Sequence, residues 1–378
     1  MSHVALEAEV QACAERPRTP AAREFEQVFH AWPQAEAQAP GRVHLLGEHA
    51  GCNDGLALAV AIPQQTRVAM RPNGRPQFRL HVAERGTTVE FVLQQPPAGH
   101  FASYLYGCLR LAQEEGAEIP PLDIHVGSDV PAGAGLSASA ALEVATLRCL
   151  RALLSLPLDD LRIAQLAQQA GMQYAGMRCG MVDPMASSLG GTGTALLLDT
   201  RSLEHRAVPL PEGSAVLVLD SGLPRSAAAS GSIQRRAECE EAARRLGLAS
   251  LREIGSPDAI EELPDDVHRR RARHVFTENV RARQAAVCRD APAFGELMNA
   301  SHESLREDYE VSTPELDWLV QRLQQQPGVH GARLTGPGFG GACVALCESG
   351  AVQQAARAVL RDYAAAGHRG HLLVPAAQ

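Results

Sequence analysis

The stretch that most constrains the fold is Asp129–Ala141, which reads DVPAGAGLSASAA. Before it, Leu122, Ile124 and Val126 alternate with polar residues, as in a strand, and after it apolar residues recur at helical spacing. A loop of small residues between a strand and a helix presents backbone N–H groups and the positive end of the helix dipole to an anion. The loop matches neither of the usual nucleotide fingerprints, GxxxxGKS/T and GxGxxG. The alternative interpretation is an ordinary tight connection.

Composition limits both the architecture and the chemistry. A chain of 378 residues, 45% of them apolar, is long enough for two lobes. It contains no lysine, so all 35 basic residues are arginine and any cationic catalytic group must be an arginine. The net charge of −8 argues against a nucleic-acid partner. Nine scattered cysteines without metal spacing, and no signal peptide or membrane-spanning run, predict a cytoplasmic protein with no membrane partner.

A second informative stretch, residues 39–55, reads APGRVHLLGEHAGCNDG. Apolar residues within 43–46 predict a buried strand that ends at the following glycine. Arg42, Glu48 and His49 then form a polar cluster around one strand end, which suits a hydroxyl-rich or anionic ligand. The alternative is a simple salt bridge beside a buried core histidine.

The segment around Asp183 also points to chemistry, because this carboxylate lies between apolar residues in a glycine-bounded turn. Buried carboxylates are rare unless paired, so we expect a partner such as Arg42. A helix N-cap is the alternative role. Residues 331–346 add a second glycine-rich connection, leading into a buried strand. Two glycine loops and one arginine–aspartate pair indicate phosphoryl transfer.

Other segments carry simpler patterns. A leading helix is expected within residues 1–38, anchored by Phe25, Val28 and Phe29 and followed by an Ala/Gln/Pro-rich joint. Strands are predicted at 56–68, 78–92, 194–199 and 215–220. The last two are expected to be adjacent. Helices are predicted at 100–111, from 137 onward, and at 158–173, 232–246, 267–289, 292–305 and 314–325.

Three motifs, APGRVHLLGEH, DVPAGAGLSASAALEVA and ARLTGPGFGGA, resemble those of the galactokinase/homoserine/mevalonate/phosphomevalonate kinase superfamily and stand in the same order. Further stretches, QQAGMQYAGMRCGMVDP, RRAECEEAARRLG and SHESLREDYEVSTPELDWLV, resemble the galactokinase branch. The resemblance covers nearly the whole chain. It implies an α+β fold of two lobes with the active site in the cleft between them. It also implies an ATP- and Mg²⁺-dependent kinase that phosphorylates the anomeric hydroxyl of galactose or a related sugar.

The resemblance also assigns roles to individual residues. It implies that Asp183 is the catalytic base and Arg42 the arginine beside it. The positions that match sugar-binding residues are Glu48, His49, Gly51, Asn53, Gly180 and Ser232. Phe101 lies near the position that stacks on adenine, and Ser139 is the expected Mg²⁺ ligand. The expected phosphate-binding residues are Pro131, Gly133, Ala134, Gly135, Leu136, Ser137, Ala138, Ser139 and Ala140.

Several of these positions depart from the galactokinase pattern. The family reads GEH-Thr-Asp-Tyr-Asn where this chain reads GEH-Ala-Gly-Cys-Asn, so Gly51 replaces an aspartate that grips sugar hydroxyls. Ser232 stands in place of a tyrosine that faces the sugar, and Gly171 in place of a plausible metal-site carboxylate. These changes enlarge the sugar pocket and reduce its polarity, so galactose and a modified sugar both stay open. A kinase for another small alcohol and a catalytically weak sugar and ATP sensor are the further alternatives.

The last expectations concern organisation. Residues 1–200 are predicted to form the N-terminal lobe, with the sugar-binding strand and the phosphate loop. Residues 201–378 are predicted to form a C-terminal α+β lobe with the third motif. The expected partners are a small sugar and ATP, and the protein is expected to be a monomer.

Overall fold

The computed structural model describes residues 19–97, 99–177, 180–223 and 228–375, which form two lobes of sheet covered by helices. The helices are α1 Pro20–Phe29, α2 His100–Glu114, α3 Ala138–Leu154, α4 Asp160–Gln173, α5 Val182–Leu189, α6 Ala228–Arg245, α7 Asp258–Glu261, α8 Asp266–Ala285, α9 Ala291–Glu307, α10 Pro314–Gln324 and α11 Val352–Ala365. The strands are β1 Ala35–Leu46, β2 Leu56–Pro72, β3 Phe78–Val82, β4 Thr87–Phe91, β5 Leu122–Ser128, β6 Thr194–Asp199, β7 His205–Pro209, β8 Ser214–Asp220, β9 Val329–Thr335, β10 Ala342–Glu348 and β11 His371–Val374.

The first lobe is built on a seven-stranded sheet in the order β4-β3-β5-β2-β6-β7, with β1 paired to β2. The long strand β2 pairs with β1, β5 and β6, so it is the axis of this sheet. Helices α2, α3 and α4 bury their apolar faces against the sheet in one large core, which includes Leu105, Leu147 and Ile163. Burial of these aliphatic side chains supplies the main driving force for this lobe.

The second lobe is built on an antiparallel four-stranded sheet in the order β11-β8-β10-β9. Its core packs α6, α8, α10 and α11 on this sheet, with Leu219, Val275 and Leu334 among the buried residues. A separate apolar cluster joins the lobes, because Val43 and Leu58 of the first lobe share it with Val218, Phe294 and Val344 of the second. The end of β1 therefore lies against the second lobe.

Most of the predicted elements are confirmed, but three expectations about strands are wrong, and one strand was missed. The strand predicted at 78–92 is a hairpin of β3 and β4, which a short 3₁₀ turn at Ala83–Arg85 separates. The Ala/Gln/Pro-rich joint is the first part of β1, because Ala35 already pairs with Met70 of β2. Strands β6 and β8 are not adjacent, since β6 pairs with β2 and β7, whereas β8 pairs with β10 and β11. The edge strand β7 was missed because it is mostly exposed and lacks a clear alternating pattern.

The leading helix extends over Pro20–Phe29, where the Thr19 hydroxyl accepts a hydrogen bond from the Ala22 N–H as an N-cap. The part of that expectation before residue 19 lies outside the described residues. The boundary between lobes at residue 200 stays a prediction, and the first sheet continues to Pro209. None of the helices described here is both long enough and apolar enough to cross a membrane.

Candidate active site

The centre of the site is an ion pair between Arg42 of β1 and Asp183 in the first turn of α5. The Arg42 guanidinium donates from Nε and Nη2 to Asp183 Oδ1, at 2.9 and 2.5 Å. The Ser137 hydroxyl donates to the other carboxylate oxygen, Oδ2, at 2.6 Å. Both oxygens are therefore occupied by side chains, and the predicted arginine–aspartate pair is confirmed in place of an N-cap role. The Asp183 side chain is still 30% exposed, so a ligand can reach it.

The environment of Asp183 keeps this carboxylate ionised. Burial by itself would raise the pKa of Asp183, because it disfavours the charged form. The positive charge of Arg42, together with His44 and the Ser137 hydroxyl, outweighs burial and holds the pKa of Asp183 well below its usual range. A depressed pKa makes Asp183 a reliable anion but a weak base.

The same arginine ties the glycine-rich loop to β1. Arg42 Nη1 donates to the Gly135 carbonyl at 2.7 Å, and the Arg42 backbone N–H donates to the Leu136 carbonyl at 3.0 Å. This close approach needs Gly41, since a Cβ there would lie 2.6 Å from the Leu136 oxygen. Ser137 has a left-handed backbone, with φ of 58°, and α3 starts at the next residue. The arrangement places the N-terminus of a 17-residue helix beside the Arg42–Asp183 pair.

The turn after β1 presents Glu48, and the second lobe holds it. Glu48 Oε2 accepts hydrogen bonds from Arg333 Nη2 at 3.1 Å and from the Gly336 N–H at 2.9 Å. Burial would raise the pKa of Glu48, but the nearby positive groups, His44 and Arg333 foremost, lower it overall. Gly47 is required before it, because φ is +88° and a Cβ would lie 2.4 Å from the Leu56 oxygen.

His49 lies next to Glu48 and is fixed by an aromatic contact. Its imidazole stacks on Tyr309, with ring centres 4.5 Å apart and planes at 29°. Its Nε2 atom is buried and has no hydrogen-bond partner among the described residues. Burial lowers the pKa of His49 to about 4, so the ring is neutral at physiological pH. A buried polar atom without a partner is rare, and a ligand hydroxyl would satisfy it.

His44 also belongs to the site, although no sequence pattern predicted a role for it. Its Nε2 is 3.5 Å from Asp183 Oδ1, and its Nδ1 is 3.7 Å from Glu48 Oε1. Both ring nitrogens are buried, and neither makes a hydrogen bond to the residues that the structure describes. The available signal was the alternation of β1, because residues two apart on a strand point to the same face. His44 therefore accompanies Arg42.

The other predicted sugar positions are less closely tied to this centre. Gly51 and Asn53 lie in a short 3₁₀ turn after His49, and Asn53 Nδ2 donates to the His49 carbonyl at 3.1 Å. Gly180 is exposed just before α5, and a Cβ there would meet no atom within 4 Å. Ser232 lies on α6, where its Oγ is buried without a partner among the described residues. Their roles toward a sugar stay predictions.

The residues predicted to bind ATP lie in the loop after β5 and at the start of α2. Pro131–Ala140 run from the end of β5 into the first turn of α3, where Ser139 is the second helical residue. Phe101 lies at the start of α2, half-buried, with the Arg85 guanidinium 5.1 Å from its ring centre. Its assignment to adenine stays a prediction.

Models of known protein families match the parts of the chain that contain these residues. Three family models match: the GHMP kinases N terminal domain at residues 103–191, the GHMP kinases C terminal domain at 278–365, and the galactokinase galactose-binding signature at 23–72. A galactokinase of Roseiflexus sp. (strain RS-1) is 41% identical over 342 residues, which are 87% of this chain and 87% of the relative. The chain belongs to the galactokinase family.

Solved structures agree with this assignment. Lactococcus lactis galactokinase in complex with galactose has a TM-score of 0.85 at 30% identity, covering 93% of this chain and 95% of its own. The mevalonate kinase of Methanococcus jannaschii has a TM-score of 0.66 at 17% identity, covering 89% and 96%. That second likeness shows the fold alone. The predicted superfamily, galactokinase branch and α+β kinase fold are confirmed.

Proposed function

We propose that this member of the galactokinase family transfers the γ-phosphoryl group of ATP to the anomeric hydroxyl of galactose. The observation that carries the proposal is the Arg42–Asp183–Ser137 cluster, which lies between the N-terminus of α3 and the turn with Glu48 and His49. One side of this cluster suits polyphosphate, because of the helix dipole and the loop N–H groups. The other side offers polar atoms suited to sugar hydroxyls. A phosphoryl donor and an acceptor alcohol would therefore meet at Asp183.

The protein's own contribution to the chemistry is electrostatic and positional. Asp183 accepts a hydrogen bond from the attacking hydroxyl and orients it toward the γ-phosphorus, as the family's base is expected to do. Because phosphoryl transfer has a loose transition state, a weak base suffices for orientation. Arg42 holds Asp183 in its ionised form and carries the positive charge that stabilises the transferred group.

A magnesium ion fits beside the phosphate loop, where a serine hydroxyl at the start of α3 could bind it. The Ser137 hydroxyl is engaged by Asp183, which leaves Ser139, in the first turn of α3, as the serine for a cation. Within the described residues, no group of three or more His, Cys, Asp and Glu side chains is placed to hold a metal ion. Mg²⁺ suits such a site, since it retains waters and binds phosphate oxygens. When bound, it neutralises the phosphate charge.

A modified galactose is the second candidate substrate, and the space at Gly51 favours it. A Cβ built at Gly51 would lie 3.5 Å from both Thr200 Cγ2 and Val182 Cγ2, which is ordinary van der Waals contact. A Cβ therefore fits at this position without displacing a neighbour, and this chain lacks the side chain that the galactokinase pattern places here. A sugar with an added substituent, such as N-acetylgalactosamine, is the kind of substrate that the missing side chain would favour.

The decisive experiment is ADP release with Mg²⁺-ATP and a panel of galactose, N-acetylgalactosamine, galacturonate, arabinose, glucose and mevalonate. We expect turnover of galactose, and we expect Asp183→Asn to lower kcat by about 10²–10⁴-fold while the protein stays folded. Circular dichroism and the midpoint of thermal unfolding verify that the variant is folded.

Other results with this panel would point to a different substrate or a different function. If the protein phosphorylates another sugar but not galactose, the replacements at Gly51 and Ser232 have changed its substrate specificity. Thermal stabilisation by ATP without turnover of any sugar would indicate a sensor and would overturn the proposal. An Asp183→Asn variant with full activity would remove Asp183 from the mechanism.

A further inference from the structure

Glu143 is a buried carboxyl group that the proposed mechanism does not use. It lies on α3, one turn after Ser139, and it is only 3% exposed. Its Oε1 atom is buried and makes no hydrogen bond to the residues that the structure describes. A buried carboxyl oxygen without a partner is costly, because it has lost its contacts with water and has gained none in the protein. Such an oxygen points to a ligand that the chain itself does not supply.

The position of Glu143 places it beside the predicted phosphate site. Residues four apart on a helix lie on the same face, so Glu143 and Ser139 share one face of α3. Burial holds the pKa of Glu143 well above its usual range, and the negative charge of the nearby Asp183 raises it further. A divalent cation would offset both effects, because it supplies positive charge and replaces the lost contacts with water.

Of these two carboxyl groups, Glu143 is the one with a free oxygen. Asp183 Oδ1 accepts hydrogen bonds from Arg42, and Oδ2 accepts one from Ser137. On the neighbouring helix α4, the position where the galactokinase pattern has a plausible metal-site carboxylate is the buried Gly171. Because Mg²⁺ in kinase sites binds one or two carboxylates together with phosphate oxygens and water, one protein carboxylate is enough. Glu143 is the buried carboxyl group available for it.

We propose that Glu143 is the carboxylate ligand of the magnesium ion that accompanies ATP, in place of the side chain missing at Gly171. This inference rests on the proposed function, from which it takes the nucleotide and the ion. Binding of the ion displaces the proton of the Glu143 carboxyl group to water. The Ser139 hydroxyl contacts the same ion from one turn earlier, and phosphate oxygens and water complete its coordination. Asp183 keeps its contacts with Arg42 and Ser137.

The first test measures metal binding and needs neither a sugar nor turnover. Mn²⁺ replaces Mg²⁺, and its electron paramagnetic resonance signal reports the free ion during titration of the full chain saturated with ADP. We expect Glu143→Gln to weaken the affinity of the protein–ADP complex for Mn²⁺ by about 10–100-fold, the loss typical when a group that supports a metal site is removed. The affinity for ADP in the presence of EDTA should stay at its wild-type value, since no ion then joins Glu143 to the phosphates.

The variant and its control differ only in where the charge is removed. Glutamine has the size and shape of an uncharged glutamic acid, so we expect Glu143→Gln to fold, which circular dichroism and the midpoint of thermal unfolding verify. Glu303→Gln makes the same change at an exposed position of α9 and should leave the affinity for Mn²⁺ unchanged. A folded Glu143→Gln variant with wild-type affinity for Mn²⁺, or an equal loss in both variants, would overturn the proposal.

The second measurement uses the wild-type chain, so it does not depend on the stability of a variant. Anomalous scattering from crystals grown with Mn²⁺ and ADP locates the ion, and we expect a Glu143 oxygen and the Ser139 hydroxyl among its ligands. An ion bound to Asp183 and not to Glu143 would overturn the proposal. If the ion lies at Glu143 but no sugar in the panel is phosphorylated, the proposed function fails while the metal site stands.

Discussion

At the scale of single residues, Gly51 has the largest expected effect on substrate affinity. It lies in the turn after His49 and contributes its carbonyl to the Thr200 hydroxyl at 3.2 Å, but it offers nothing to a sugar through a side chain. We expect Gly51→Asp to lower KM for galactose by roughly tenfold, because a charged hydrogen bond contributes about 1.5–3 kcal/mol. Steady-state kinetics with galactose at saturating Mg²⁺-ATP measure this change.

A matched control separates that local effect from added negative charge. Gly255 is exposed in the second lobe, and a Cβ there meets no atom within 4 Å, so Gly255→Asp adds the same charge elsewhere. It should leave KM unchanged. If Gly51→Asp raises KM for galactose but leaves kcat intact, the turn does not face the sugar as the resemblance implies.

At the scale of elements, hydrogen bonds and ion pairs from the second lobe hold the end of β1 in place. Arg333 of β9 donates to the Leu45 carbonyl at 3.1 Å as well as to Glu48, and its Nη1 is 3.9 Å from Glu278 Oε1. Glu278 of α8 accepts from the Gly47 N–H at 2.8 Å. From the same helix, His274 Nε2 lies 3.1 Å from the Glu48 carbonyl. Two elements of the second lobe therefore position a turn of the first.

Replacing Arg333 should test these interactions between the lobes directly. Arg333 is fully buried, so Arg333→Met would leave the buried Glu48 without its guanidinium partner, at a cost of about 3–5 kcal/mol in the free energy of unfolding, whereas Glu278 keeps its ion pair with Arg281. We also expect KM for galactose to rise more than KM for ATP, because the proposed function assigns Glu48 to the sugar. Urea unfolding and steady-state kinetics measure the two effects.

The control for this prediction is Arg361→Met, since the Arg361 side chain is 76% exposed. Replacement of such a surface residue should change stability by less than about 0.5 kcal/mol. Equal increases in KM for galactose and KM for ATP in Arg333→Met would indicate a general loss of structure and not the loss of the Arg333–Glu48 ion pair.

At the scale of the whole molecule, buried neutral histidines couple stability to pH. Burial lowers the pKa of His274 to about 3 and that of His125 to about 4. In the unfolded chain these groups take up protons below about pH 6.5, whereas the folded chain does not until the pH is much lower. Stability is therefore fully present above pH 6.5 and declines as pH falls, by about 1.4 kcal/mol per pH unit for each histidine.

This coupling can be measured with His274→Gln. We expect the loss of stability between pH 7 and pH 5 to be about 1–2 kcal/mol smaller than in wild type, because one proton-linked site is gone. Urea unfolding at the two pH values provides the comparison, and the exposed His371→Gln serves as control. A variant as acid-sensitive as wild type would mean that other groups dominate acid unfolding.

The sequence by itself determined the family, the kinase fold, most helices and the Arg42–Asp183 pair. These follow from local signals: glycine spacing, apolar periodicity, and the rule that a buried carboxylate needs a partner. Only the tertiary structure decided that β6 and β8 belong to different sheets, since strand pairing depends on contacts far apart in sequence. It alone brought His44 between Asp183 and Glu48, and Arg333 against Glu48 across 285 residues of chain. Distances of a few ångströms between remote side chains are set by how β1 packs against α5 within the first lobe and against β9 of the second, and no local pattern encodes them.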